Sequence, residues 1–90
     1  MDNRASEFAS ALAAQLRAER AARQMTMKDV AVASGLADST VHRYLNGKRD
    51  IPVSHLFSIA SVLQVDVECL ISRTMERLQD LQWGDLKGDR

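Results

Sequence analysis

The sequence has few of the residues that cross-link a chain or interrupt a helix. Its 90 residues include one cysteine, one proline, one tryptophan and four glycines. A single cysteine cannot form an internal disulfide, so the composition does not require an oxidising compartment. No apolar run approaches the roughly 18 residues of a membrane span, and the first residues lack the basic and apolar regions of a signal peptide. We therefore expect a single cytoplasmic domain with no membrane partner.

A net charge is also missing. The chain has 12 Lys and Arg residues and 12 Asp and Glu residues, so its formal net charge at pH 7 is zero. This balance argues against a protein that coats nucleic acid through bulk charge. The charges are unevenly distributed, because residues 17–49 contain seven basic and three acidic residues, whereas residues 1–16 and 50–90 are net acidic. The central part of the chain is therefore the candidate for contact with an anionic partner.

Apolar residues make up 46% of the chain and recur with helical spacing. Leu12 and Leu16, for example, lie one turn apart in an alanine-rich segment. Thr26 is a typical helix N-cap, and Gly35 and Gly47 are typical left-handed stops. The pattern predicts an all-α fold. The predicted helices cover residues about 3–23, 27–34, 38–46, 53–63 and 67–73, within a domain of residues 1–71 that is followed by a C-terminal helical extension and polar tail over residues 72–90.

Residues 26–49 carry the strongest functional signal. Two short predicted helices are separated by a turn that contains Gly35, and Ala31 is small enough for the helices to approach closely while Val41 fills their junction. This is the pattern of a helix-turn-helix, whose second helix presents its outward side chains to the DNA major groove. The outward side chains of the second helix are predicted to be Asp38, Ser39, Thr40, His42 and Arg43.

The chain resembles the phage-repressor-like helix-turn-helix family, the group of the lambda and 434 repressors and Cro. The resemblance covers about residues 12–71 and implies a compact five-helix, lambda-repressor-like domain. The residues that carry it are Arg20, Thr26, Val30-Ala31, Ser34-Gly35-Leu36, Ser39-Thr40-Val41 and Asn46-Gly47-Lys48-Arg49, with Ile59-Ala60, Leu63 and residues 65–70 matching the fourth and fifth helices.

The resemblance also implies roles for single residues. Asp38, Ser39 and Arg43 match positions that meet base edges, and an arginine that bonds guanine O6 and N7 together contributes about 1–3 kcal/mol of discrimination. Thr40 and His42 match positions that touch a base or a phosphate. The positions that usually contact phosphates are Arg20, Thr26, Met27, Lys28, Asn46, Lys48 and Arg49.

Three positions depart from the family pattern. Met27 stands where the family often has a glutamine, which weakens one expected phosphate contact. Ala37 stands where a serine or threonine commonly caps the recognition helix, so that Asp38 falls in the first turn and either accepts from a cytosine N4 or helps to fix the helix. Gln64 stands where a glycine usually follows the fourth helix.

Several side chains have a plainer structural interpretation. Arg43 and His42 could be ordinary solvated residues of a helix, and His55 is expected on the surface of the fourth helix. Cys69 lies beside apolar residues and is expected to be a small core or interface residue. The two histidines and one cysteine are dispersed and do not form a zinc set. We expect no metal, no cofactor, no small-molecule substrate and no enzymatic activity, because no nucleophile, base or carboxylate pair stands out.

The C-terminal extension carries a further apolar stripe of Met75, Leu78, Leu81 and Trp83. This stripe either folds back on the core or forms a surface for a homodimer or partner protein, and we favour the surface. Taken together, the sequence predicts a DNA-binding transcriptional regulator, a phage or bacterial repressor that occupies operator DNA. The alternative is an antitoxin-like interaction module whose tail binds another protein.

Overall fold

The computed structural model describes the backbone of residues 3–88 and the side chains of residues 3–80. This part of the chain is entirely helical outside its turns, which confirms the predicted all-α fold. The helices are α1 (Asn3–Ala22), α2 (Met27–Ser34), α3 (Asp38–Leu45), α4 (Val53–Val62) and α5 (Val67–Gly88). The first four begin and end within one residue of their predicted bounds.

The helices enclose one hydrophobic core. α1 packs on α5 and α3, α2 packs on α3 and α4, and α4 also packs on α5, so α3 is held between α1 and α2. Burial of each large apolar side chain stabilises the fold by about 1.5–3 kcal/mol. The largest fully buried side chains are Tyr44, Leu16, Leu45, Ile59, Leu63, Leu70, Val30, Val41 and Thr74.

No single helix among the described residues is long and apolar enough to cross a membrane. The segments Val53–Val62 and Val67–Asp80 reach the required length and hydropathy only when taken together, and a bend of 100° separates them.

Left-handed residues follow the ends of four helices. Gly35 and Gly47 have φ of 76° and 72°, as predicted from their places in the sequence. Gln24 and Gln64 have φ of 56° and 57°, although the left-handed region costs an L-residue about 1–2 kcal/mol. The helix end at Gln64 therefore keeps the geometry of a glycine stop without the residue best suited to it.

α5 is one continuous helix over Val67–Gly88, whereas the sequence predicted a helix over residues 67–73 that is followed by a helical extension. The helix continues because Thr74 is fully buried against the core and because Arg73 and Arg77 bond to α1. Leu78 is half-buried, and Met75 is 40% exposed. The side chains of Leu81 and Trp83, which complete the predicted apolar stripe, lie outside the described residues.

A buried carboxylate joins α1 to α5. Glu19 is 4% exposed and accepts from Arg73 at 2.6 Å, from Arg23 at 3.0 Å and from the Gln15 amide at 2.7 Å. Arg77 donates in turn to Gln15 at 2.6 Å. Burial raises the pKa of Glu19, but the hydrogen bonds from Arg73 and Gln15 and the charges of Arg73 and Arg23 outweigh that effect and leave the pKa below its ordinary value. This network fixes how α5 lies along α1.

The sequence predicted that His55 lies on the surface of the fourth helix, whereas in the structure it bonds to the buried Tyr44. Its ring is half-buried, and its Nδ1 lies 2.7 Å from the Tyr44 hydroxyl. Tyr44 is 1% exposed, and a buried tyrosine hydroxyl requires a polar partner, which His55 supplies from α4. Cys69 is a half-buried free thiol that packs against the core, in agreement with its expected role as a small apolar residue.

Substitution of Gln64 by glycine tests the strained helix end. Gln64→Gly should raise the free energy of unfolding by about 0.5–1 kcal/mol, since glycine adopts positive φ without the steric cost. Urea denaturation measures the change. The control is Gln79→Gly on an exposed position inside α5, which should lower stability by about 1 kcal/mol. Two losses of equal size would show that the conformation at Gln64 is not strained.

Substitution of Glu19 tests the buried network through its pH dependence. The folded-state pKa of Glu19 lies below its ordinary value of 4.5, so its contribution is present above that pH and is lost as the pH falls through the folded pKa. Glu19→Gln should therefore lower stability by about 1–2 kcal/mol at pH 7. The difference from wild type should shrink steadily in melts below pH 4.5. Glu76→Gln, at an exposed carboxylate of α5, should show no such trend.

Candidate nucleic-acid interface

α2 and α3 meet across the short turn that the sequence predicted. Gly35 ends α2 in a left-handed conformation, and the Leu36 amide donates back to the Ala31 carbonyl at 3.1 Å. Ala31 is 3% exposed and Val41 is fully buried, so both occupy the junction between the two helices. Gly35 in the turn, together with Ala31 and Val41 at the junction, fixes the angle between α2 and α3.

α3 has one apolar face and one polar face. The apolar face consists of Val41, Tyr44 and Leu45, each at most 1% exposed. The predicted base-contacting residues lie on the other face: Thr40 is half-buried, and the exposed members are Asp38, Ser39, His42 and Arg43. The structure therefore brings all five predicted residues to the side of α3 that faces away from the core.

The amino end of α3 is open. Ala37 provides no side-chain cap, so the amides of the first turn lack both a carbonyl partner within the helix and a capping oxygen. These amides and the helix dipole make the end electropositive. Asp38 places a carboxylate in this first turn, where it is favourable for the free helix and unfavourable beside a phosphate.

The carboxyl end of α3 is fully paired, in contrast to the amino end. Amides of the α3–α4 loop bond three of the last four carbonyls. These pairs are Asn46 with His42 at 3.0 Å, Lys48 with Arg43 at 2.8 Å and Gly47 with Tyr44 at 3.2 Å. The bond to Arg43 folds the loop back on α3, so the exposed residues Asn46, Lys48 and Arg49 follow directly from the end of the recognition helix.

The partner of the fourth carbonyl, that of Leu45, could not be predicted from the sequence. Arg17 on α1 donates through Nη1 to the Leu45 carbonyl, 28 residues further along the chain. A cation often pairs with the carbonyls at a helix end. The contact joins a side chain to a backbone atom of another helix, and such pairs leave no pattern in a single sequence.

The amino end of α2 is closed by a capping box. The Thr26 hydroxyl accepts from the Asp29 amide at 3.0 Å, and the Thr26 amide donates to Asp29 Oδ2 at 2.9 Å. The backbone and side-chain hydrogen bonds with Thr26 lower the pKa of Asp29. The Thr26 hydroxyl still has its own proton to donate, and Lys28 beside it is exposed.

Two of the predicted phosphate-contacting residues are placed differently from the rest. Met27 is half-buried and packs against the core, so only its backbone amide can reach a phosphate. Arg20 is also half-buried, and its Nη1 donates to the Met25 carbonyl at 2.6 Å while its Nε is buried without a partner. Arg20 thus secures the loop between α1 and α2.

No three His, Cys, Asp or Glu side chains come together as a metal site among residues 3–80. The chemistry that these residues do offer is that of recognition: polar and charged groups on one helix face, with basic residues at its flanks. The exposed basic residues around α3 and at the start of α2 are Arg17, Lys28, Arg43, Lys48 and Arg49.

The helix-turn-helix family, of Cro/C1 type, matches residues 16–68. The chain belongs to this family. Membership makes it a DNA-binding transcriptional regulator. The match begins in α1 and ends in α5, so it covers both the recognition helix and the elements that hold it.

Two crystal structures of the clp gene regulator ClgR from Corynebacterium glutamicum share the fold. One has a TM-score of 0.76 and covers 89% of this chain and 87% of its own. The other has a TM-score of 0.72, with coverages of 77% and 88%. Both are 23% identical to this chain, so they are evidence for the fold alone. No curated protein sequence matches the chain.

The capping box predicts a loss of stability when its hydroxyl is removed. Thr26→Ala should lower the free energy of unfolding by about 1 kcal/mol, because the Asp29 amide loses its acceptor. Thr26→Ser keeps the hydroxyl and should stay close to wild type in the same thermal or urea titration. Equal losses in both variants would assign the effect to the methyl group instead.

Proposed function

We propose that this regulator is a sequence-specific repressor of phage or bacterial type, which inserts α3 into the major groove of operator DNA. The observation that supports this proposal most directly is the division of α3 into a buried apolar face and an exposed polar face, with basic residues at its flanks. A helix fits the major groove, and its outward side chains then meet base edges. Occupation of the operator would block transcription without any further activity.

Base contacts are proposed for the exposed face of α3. Arg43 carries most of the expected discrimination, since its planar guanidinium can donate to guanine O6 and N7 together. Asp38 can accept from a cytosine N4, which would compensate for its unfavourable charge near DNA. Ser39, Thr40 and His42 complete the proposed set.

Phosphate contacts are proposed for the two flanks of α3. At the start of α2 these are the Thr26 hydroxyl, the Met27 amide and the Lys28 ammonium group. In the α3–α4 loop they are Asn46, Lys48 and Arg49. Arg20 is left out of the direct contacts, because its guanidinium is bound to the loop before α2. With so few basic groups and no net charge, affinity for non-specific DNA should be modest.

The antitoxin-like alternative receives less support from α5. The described part of the predicted partner surface consists of Met75, which is 40% exposed, and Leu78, which is half-buried. Arg73 and Arg77 on the same helix are bound to α1. A homodimer through this region is a further proposal. The symmetry of the selected DNA site tests it, because a dimer selects a palindromic site and a monomer an asymmetric one.

Two substitutions separate base contacts from phosphate contacts, after selection of a preferred site from a random DNA pool. Arg43→Ala should weaken the selected site by about 1–3 kcal/mol and relax preference at one base pair. Lys48→Ala should weaken all sequences alike and reduce the slope of log K against log salt by about 1. Binding titrations at several salt concentrations measure both effects.

The control is Arg77→Gln, which removes a positive charge from α5 at a position bound to α1. It should leave base preference unchanged. Failure of the wild-type protein to enrich any DNA sequence would refute the proposed function. Enrichment that is insensitive to both Arg43 and Lys48 would refute the docking of α3.

A further inference from the structure

The Leu45 carbonyl is the one α3 end group whose partner comes from another helix. The three carbonyls before it are bonded by the loop that follows α3, at 2.8–3.2 Å. Leu45 itself receives a hydrogen bond from Arg17 Nη1 of α1. Leu45 is fully buried, and removal of Arg17 would take away the hydrogen-bond partner that the structure gives its carbonyl.

α3 is short, so a displacement of its carboxyl end moves its whole outer face. It has eight residues and is about 12 Å long. Arg43 lies two residues before Leu45, and Lys48 is bonded to the Arg43 carbonyl. A shift of the Leu45 backbone thus displaces both the residue proposed to read guanine and the start of the basic loop.

We propose that Arg17 is a positioning residue for DNA recognition, an inference that rests on the function proposed above. Its guanidinium holds the carboxyl end of α3 against α1 and so sets the angle of the recognition helix. Its positive charge also offsets the negative end of the α3 dipole, which the docked complex would bring close to the phosphates at the loop. Arg17 acts on base preference through α3, without touching a base.

Two other roles for Arg17 predict different behaviour. If its stem mattered only through packing, a side chain of similar length without donors would replace it. If it contacted a phosphate directly, its loss would weaken every DNA sequence alike and lower the salt dependence. Arg17 is exposed and lies outside the apolar core, so its variants should fold.

The test compares Arg17→Met with Arg17→Lys in the full chain. Methionine keeps an unbranched stem and removes the donors, whereas lysine keeps a charged donor. For Arg17→Met we expect amide hydrogen exchange at residues 46–48 of the DNA-free protein to accelerate about tenfold. We expect binding to the selected site to weaken by about tenfold, with binding to random-sequence duplex changed by less than about threefold.

Arg17→Lys should restore both the exchange protection and the ratio of the two affinities to within about threefold of wild type. The inference is overturned if Arg17→Met leaves the exchange rates and the affinity ratio unchanged. It is also overturned if both affinities fall together and the salt slope drops, because that is the behaviour of a phosphate contact. If the wild-type protein selects no DNA but Arg17→Met still accelerates exchange, the proposed function is refuted. The role of Arg17 in holding the end of α3 is then supported independently.

Discussion

The structure as a whole depends on the placement of α3, a helix of about two turns whose outer face we propose to dock on DNA. Alone, eight residues make a marginal helix in water, so α3 owes its existence and its direction to its surroundings. Val41, Tyr44 and Leu45 anchor its inner face in the core, and α1 and α2 pack on either side of it. The other helices can be understood as the support that this one requires.

The support combines apolar contacts with a few polar ties between distant segments. Arg17 joins α1 to the end of α3, Arg20 joins α1 to the loop before α2, and His55 of α4 meets Tyr44 of α3. Glu19 then ties α1 to α5 through Arg73. Apolar packing supplies most of the free energy, whereas these directional bonds restrict how the helices can slide or rotate.

Local signals explain what could be predicted from the sequence. Caps such as Thr26, stops such as Gly47 and the spacing of Val41 and Tyr44 set helix ends and faces within a few residues, and their effects do not depend on the rest of the fold. The length of α5 was missed because its contacts to α1 join residues 54 and 62 apart in the chain. The contacts of Arg17 and His55 join residues 28 and 11 apart, separations that also lie beyond the reach of local helix patterns.

The contrast between the two ends of α3 bears on the thermodynamics of binding. With its carbonyls bonded and its inner face buried, the helix is already ordered in the free protein, so little conformational entropy would remain to be lost in the complex proposed above. Its open first-turn amides keep unused donors at the amino end of the helix, which is part of the proposed DNA-contacting surface. The surface is preorganised: folding fixes its shape in advance, and the proposed association would resemble the docking of a rigid body rather than folding coupled to binding.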